Sequence, residues 1–163
     1  MFLAGVPLGK SLIDLRRLLK SKGTSMSRIL VAVSSPWASE RVMDPLAHLA
    51  NRLGAEVLVV HVSRPSGGQM REQEQADGEA AIRVLRERLE GKGVAVQTLL
   101  MFSDDIARAV LNTAIERDVT LIVLGLTGKN VFARLLAGNV PVELIKNTRI
   151  PVLLFPPDYK GSV

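Results

Sequence analysis

The chain has 163 residues, 47% of them apolar and 23% charged, which is enough for one domain with a buried core and too apolar for disorder. It has no cysteine and two histidines, His48 and His61, which excludes disulfides, thiolate metal sites and a His-rich metal cluster. The net charge of +5 sits in residues 1–28, with six basic side chains against one acidic, while the rest carries 15 of each sign and only 4% of the chain is aromatic; no basic, stacking-rich face remains for a nucleic acid.

Residues 1–27 read as a basic N-terminal extension. Within it, residues 11–22 put Leu12, Leu15, Leu18 and Leu19 on one helical face and basic residues on the other. Three readings fit: a dispensable leader with Met26 as the natural start, a helix packed on the domain or on a partner, and an interfacial membrane helix. No apolar run approaches the roughly 18 to 20 residues of a spanning helix, and no signal-peptide cleavage pattern stands at the start, so a cytoplasmic location is expected.

From Ile29 onward, short apolar runs alternate with amphipathic stretches, the pattern of a parallel sheet covered on both faces. The runs are 29–33, 57–62, 94–100, 121–124 and 151–155. Between the first two, Val42, Met43, Leu46, Leu49 and Leu53 line one helix, in which Pro45 predicts a kink or a late start. Residues 63–69, with Pro65, Gly67 and Gly68, read as a surface loop. Ile82, Leu85 and Leu89 line a second helix. Ile106, Val110, Leu111 and Ile115 line a third, with Ser103 and Asp104 as its expected cap.

The run Thr120-Leu-Ile-Val-Leu124 is followed by Gly125, Gly128, Gly138 and Asn139, and then by a short predicted helix over 140–148. Glycines at a strand's carboxyl end let backbone N–H groups approach a ligand, and a following helix start adds unpaired donors, so the pattern suits an anion such as phosphate. It is not a P-loop, because only Leu126 and Thr127 separate Gly125 from Gly128 and Lys129 is followed by Asn130. No Gly-x-Gly-x-x-Gly dinucleotide fingerprint occurs either. The spacing fits equally well a strand-end turn followed by a helix start with no ligand.

The run Leu124-Gly-Leu-Thr-Gly-Lys-Asn130, the spacing to Gly138-Asn-Val140 and the closing Ile150-Pro-Val-Leu-Leu-Phe155 resemble the universal stress protein family in its nucleotide-binding branch. Ile29-Leu-Val-Ala-Val33, Gly54-Ala-Glu-Val-Leu-Val-Val-His-Val62 and Asp118-Val-Thr-Leu-Ile-Val123 agree, so the resemblance covers residues 28–156. It implies an α/β domain over 28–157, followed by a tail at 158–163. The implied architecture is a single doubly wound, five-stranded parallel sheet of order 3-2-1-4-5 with helices on both faces. The ligand crevice then lies beyond the carboxyl ends of strands one and four.

The resemblance further implies an adenine nucleotide, ATP or AMP, with Val62 on the adenine and Leu124 and Gly125 behind it. Gly128, Gly138, Asn139 and Val140 would hold the phosphates, with Lys129 the nearest cation. Ser34 stands where the family usually has an Asp, and Asn139 where it usually has Ser or Thr. The loop supplies no carboxylate, so any Mg²⁺ would be carried by the nucleotide and water. The implied role is a dimeric signalling or stability switch in stress response with at most slow ATP hydrolysis, the dimer forming through residues 150–155. The alternative is an adaptor that binds no nucleotide and whose glycine loop is structural. A triad of Ser34 or Ser35 with His61 and Asp104 lacks the Gly-x-Ser-x-Gly elbow.

Overall fold

A computed structural model describes residues 26–34, 36–64, 69–125, 140–156, 159 and 161. The N-terminal extension, Gly128, Lys129, Gly138 and Asn139 lie outside them. In chain order the elements are β1 (Arg28–Ala32), α1 (Pro36–Leu53), β2 (Glu56–Ser63), α2 (Gln69–Gly91), β3 (Val96–Phe102), α3 (Ile106–Glu116), β4 (Leu121–Gly125), α4 (Val140–Asn147) and β5 (Val152–Phe155). The five strands form one sheet in the order β3-β2-β1-β4-β5 with every neighbouring pair parallel, as expected.

Strand alternation divides the core into two layers. On one side Ile29, Val31, Val57, Val59 and Val123 meet α1 through Val42, Leu46 and Leu49 and α2 through Ala81, Leu85 and Leu89. On the other, Leu30, Leu58, Val60, Ile122 and Leu124 meet α3 through Ala107, Val110 and Ala114 and α4 through Leu144. The central strands are therefore buried on both faces, which is why they read as unbroken apolar runs.

Three helices end in the same way. After α1, Gly54 has φ +58°, its N–H donates to Asn51 O and the Ala55 N–H donates to Ala50 O. After α2, Gly93 has φ +79°, with Gly93 N–H on Glu90 O and Val94 N–H on Leu89 O. After α3, Asp118 takes the left-handed place at φ 52°, with Asp118 N–H on Ile115 O and Val119 N–H on Ala114 O. Each is a Schellman cap that satisfies orphan carbonyls and turns the chain into the next strand.

Several local expectations are corrected. Val94 completes the α2 cap, so β3 starts at Val96 and runs on to Phe102. Helix α1 has no late start: it opens at Pro36, where a proline loses no hydrogen bond, and carries Pro45 in its interior. Leu53 keeps the direction of the apolar stripe but closes the helix, where no further turn covers it, and is half-exposed. Ile115 is 68% exposed, because 3.6 residues per turn carry it about 100° round from the Ala107, Val110 and Ala114 line. The α3 cap is Asp105 rather than Asp104, since its Oδ1 accepts from the N–H of Arg108, three residues on, at 3.0 Å.

At the amino ends of the strands, Arg28 crosses several elements. Its guanidinium donates to Glu56 Oε2 at 3.2 Å and to the carbonyl of Arg117, at the C-terminus of α3, where a cation also complements the helix dipole. Glu56 is buried and also accepts from Gln97 Nε2 of β3. Among the described residues no helix is long and apolar enough to cross a membrane.

The left-handed conformation of Asp118 is strained for a residue with a Cβ, and Gly54 and Gly93 show what the motif prefers. Asp118→Gly is expected to raise unfolding stability by about 0.5 to 1 kcal/mol, read from the urea midpoint. Gly93→Ala should lower it by a similar amount.

Candidate functional site

The order β3-β2-β1-β4-β5 means that the chain builds outward from β1 in one direction, then returns through α3 to lay β4 on the other side of β1. Connections leave β1 and β4 toward opposite faces, and the gap between them at the carboxyl ends is where such sheets receive ligands. Ala32 of β1 is paired with Leu124 of β4, so Ser34 and Gly125 emerge from neighbouring strands at this gap. Ser34 is exposed.

Five of the nine residues singled out from the sequence are described. Val62 at the end of β2, Leu124 in β4 and Val140 at the start of α4 all belong to the apolar layer beneath α3 and α4. Leu124 is buried, whereas Val62 and Val140 are partly exposed. A Cβ on Gly125 would lie on the opposite side, 3.0 Å from Val42 Cγ1 of α1. Val42 would have to yield by a few tenths of an ångström to admit it, so the packing of α1 on β4 favours a glycine at 125.

The glycine loop beyond Gly125, with Gly128, Lys129, Gly138 and Asn139, lies outside the described residues, as does Ser35. Among the described residues no group of three or more His, Cys, Asp or Glu side chains could hold a metal ion.

Both ring nitrogens of His61 are engaged. Its ring is buried on the α1 and α2 side, with Nδ1 2.8 Å from the carbonyl oxygen of Val33 and Nε2 3.0 Å from Ser63 Oγ. A carbonyl only accepts, so Nδ1 carries the proton in this arrangement, and in the neutral ring Nε2 accepts from the Ser63 hydroxyl. This leaves no ring nitrogen for Asp104, which is exposed beside the α3 cap, so the serine, histidine and aspartate grouping does not form.

The ring fits beneath α2 because residue 78 is glycine. A Cβ there would lie 2.3 Å from His61 Cδ2, 2.5 Å from Nε2 and 2.9 Å from Cγ. The sequence carries one signal of this contact: an isolated glycine inside a helical stretch, a position that normally costs stability and so asks for a packing reason.

Comparison with known proteins bears on the whole described region. A family model described as "Universal stress protein family" matches residues 26–156. Universal stress protein YxiE of Bacillus subtilis is 25% identical over 145 residues, covering 78% of this chain and 97% of that protein. The crystal structure of a universal stress protein in complex with cAMP superposes with a TM-score of 0.66 at 19% identity, covering 83% of this chain and 100% of that one. The universal stress protein from Archaeoglobus fulgidus in complex with dAMP gives 0.61 at 21% identity, over 79% and 96% of the two chains.

In an open helix interior Gly→Ala stabilises by about 1 kcal/mol. Here the added methyl meets an aromatic ring held at both nitrogens, and Gly78→Ala is expected to destabilise by roughly 1 to 3 kcal/mol in urea unfolding. Combined with His61→Ser, which removes the ring, the same change should recover most of its loss.

Proposed function

The chain belongs to the universal stress protein family, and from that membership we propose that it binds an adenine nucleotide, ATP or AMP, in the crevice between β1 and β4. The observation that carries this reading is the pairing of Ala32 with Leu124, which brings an exposed hydroxyl residue, Ser34, and a residue without a side chain, Gly125, to the mouth of one gap. The cAMP and dAMP bound by two proteins of the same fold support the choice of ligand class.

In this proposal Val62 meets the adenine with Leu124 and Gly125 behind it, Ser34 hydrogen-bonds the ribose, and Val140 at the start of α4 joins the residues that hold the phosphates. Gly128, Gly138 and Asn139 hold the phosphates through backbone and amide donors, with Lys129 supplying positive charge. Mg²⁺ enters, if at all, on the nucleotide. Occupancy acts as a signal or stability switch, because a ligand that binds only the folded state stabilises it in proportion to its concentration.

The dimer in this proposal forms through β5. Among the described residues this strand stands at one edge of the sheet and pairs with β4 alone, the arrangement in which a second copy could add to its other side.

The contact between Gly125 and Val42 favours a second reading. It explains the first glycine of the loop by packing alone, as an adaptor that binds no nucleotide would require.

Calorimetry with ATP and with AMP, each with Mg²⁺, separates the two readings. Binding that is abolished by Gly128→Val supports the nucleotide site; no heat in the unaltered protein overturns it. Because a carboxylate accepts a hydroxyl more strongly than Ser34 does, Ser34→Asp should tighten binding about five- to tenfold. For the dimer, light scattering should give about twice the 17.7 kDa chain mass. A monomer at micromolar concentration would rule out the β5 interface.

A further inference from the structure

We propose that His61 is a positioning residue for the crevice: its imidazole fastens the carboxyl end of β1 to that of β2 and so fixes Ser34 and Val62 relative to each other. The inference rests on the nucleotide-binding reading for its functional consequence, but the fastening itself stands on geometry. Regular pairing of β1 with β2 ends at Ala32 and Val60. Beyond it, the Val33 N–H still donates to Val60 O at 2.9 Å, while the Val33 carbonyl lies 2.8 Å from His61 Nδ1. A side chain thus extends the hold on β1 past its last ladder residue, immediately before Ser34.

The other nitrogen extends the tie along β2. His61 and Ser63 are two residues apart in an extended strand and share a face, and Nε2 lies 3.0 Å from Ser63 Oγ. Ser63 is in turn joined to the β3 end, its carbonyl accepting from the Ser103 N–H at 2.9 Å. Three consecutive strand ends, β1, β2 and β3, are therefore linked at the mouth of the sheet.

The ring is held in place from above by Gly78 of α2, where any Cβ would strike it. Val62, between His61 and Ser63, points to the opposite face and joins the apolar wall beneath α3 and α4. The anchors lie on one face of the sheet and the surface they position on the other. A loss of the anchor moves the wall and Ser34 without removing any group assigned to nucleotide contact.

The test uses the full chain, with ATP and AMP as probes in calorimetry and amide hydrogen exchange at Val33, Ser34 and residues 62–64 measured without nucleotide. His61→Leu keeps an apolar side chain of similar reach but no donor, and is expected to weaken nucleotide binding about tenfold and to speed exchange at Val33 selectively. In His61→Asn the amide replaces Nδ1 as donor to Val33, and affinity should return to within about threefold of the unaltered protein. Ser63→Ala removes only the second bond and should cost about two- to threefold.

Leu89→Ala provides the stability control, since Leu89 is fully buried near the far end of α2. It should lower the melting temperature while leaving nucleotide affinity unchanged. The proposal is overturned if His61→Leu binds as tightly as the unaltered protein, if Asn fails to rescue, or if Leu89→Ala weakens binding equally. Should His61→Leu fail to fold, Asn and Ser63→Ala decide the matter by the same criteria. Should the unaltered protein bind no nucleotide, the functional reading fails by itself. Exchange then decides the clamp, upheld by acceleration at Val33 confined to the His61 and Ser63 variants and overturned by a uniform rise.

Discussion

A parallel sheet cannot be built from hairpins, and every return of the chain must cross a face, so both faces are buried beneath helices. That constraint shapes most of what is seen in this protein. Ile29, Leu30 and Val31 in β1, and Ile122 and Val123 in β4, are buried on alternate sides without a solvent-facing position between them. It also sets where a ligand could enter. With α1 and α2 on one face and α3 and α4 on the other, the crossovers diverge from β1 and β4, and sheets of this kind receive ligands at the carboxyl ends of such a strand pair.

The sheet is tied by polar contacts at both ends, with different consequences. At the amino ends, Arg28 bridges Glu56 of β2 and the C-terminus of α3, and Glu56 holds Gln97 of β3. This network satisfies a buried carboxylate and a helix terminus, a structural duty remote from the crevice. At the carboxyl ends the corresponding tie is made by His61, with Gly78 leaving space for it. Only this second tie adjoins Ser34 and Val62, so only there would the loss of a polar contact reach the proposed nucleotide site.

The family supplies a frame in which substitutions at the site acquire meaning. In the proposed site Ser34 would offer a ribose a neutral hydroxyl, a weaker acceptor than a carboxylate, and more of the recognition would fall to the apolar wall and the phosphate donors. Gly125 has a packing role whether or not a nucleotide is present, because a Cβ there would press on the Val42 side chain of α1 at 3.0 Å. One residue can thus satisfy the fold and the ligand together.

The fold was legible in the sequence because its determinants are local and repetitive: doubly buried strands read as unbroken apolar runs, and helices read as stripes at 3.6-residue spacing. The glycine spacing around Gly125 and Gly128 and the run Ile150-Pro-Val-Leu-Leu-Phe155 carried the family likeness for the same reason. Boundaries were less legible. Val94 reads as strand by hydrophobicity but serves the cap of α2, and Ile115 reads as core although helical phase turns it outward. What the tertiary structure alone decided is the partnership of His61 with Val33, Ser63 and Gly78. An imidazole has no preferred partner in sequence space, and its role is set by which carbonyl and hydroxyl the crossover topology brings within 3.0 Å of its nitrogens and by a helix whose glycine leaves room for the ring.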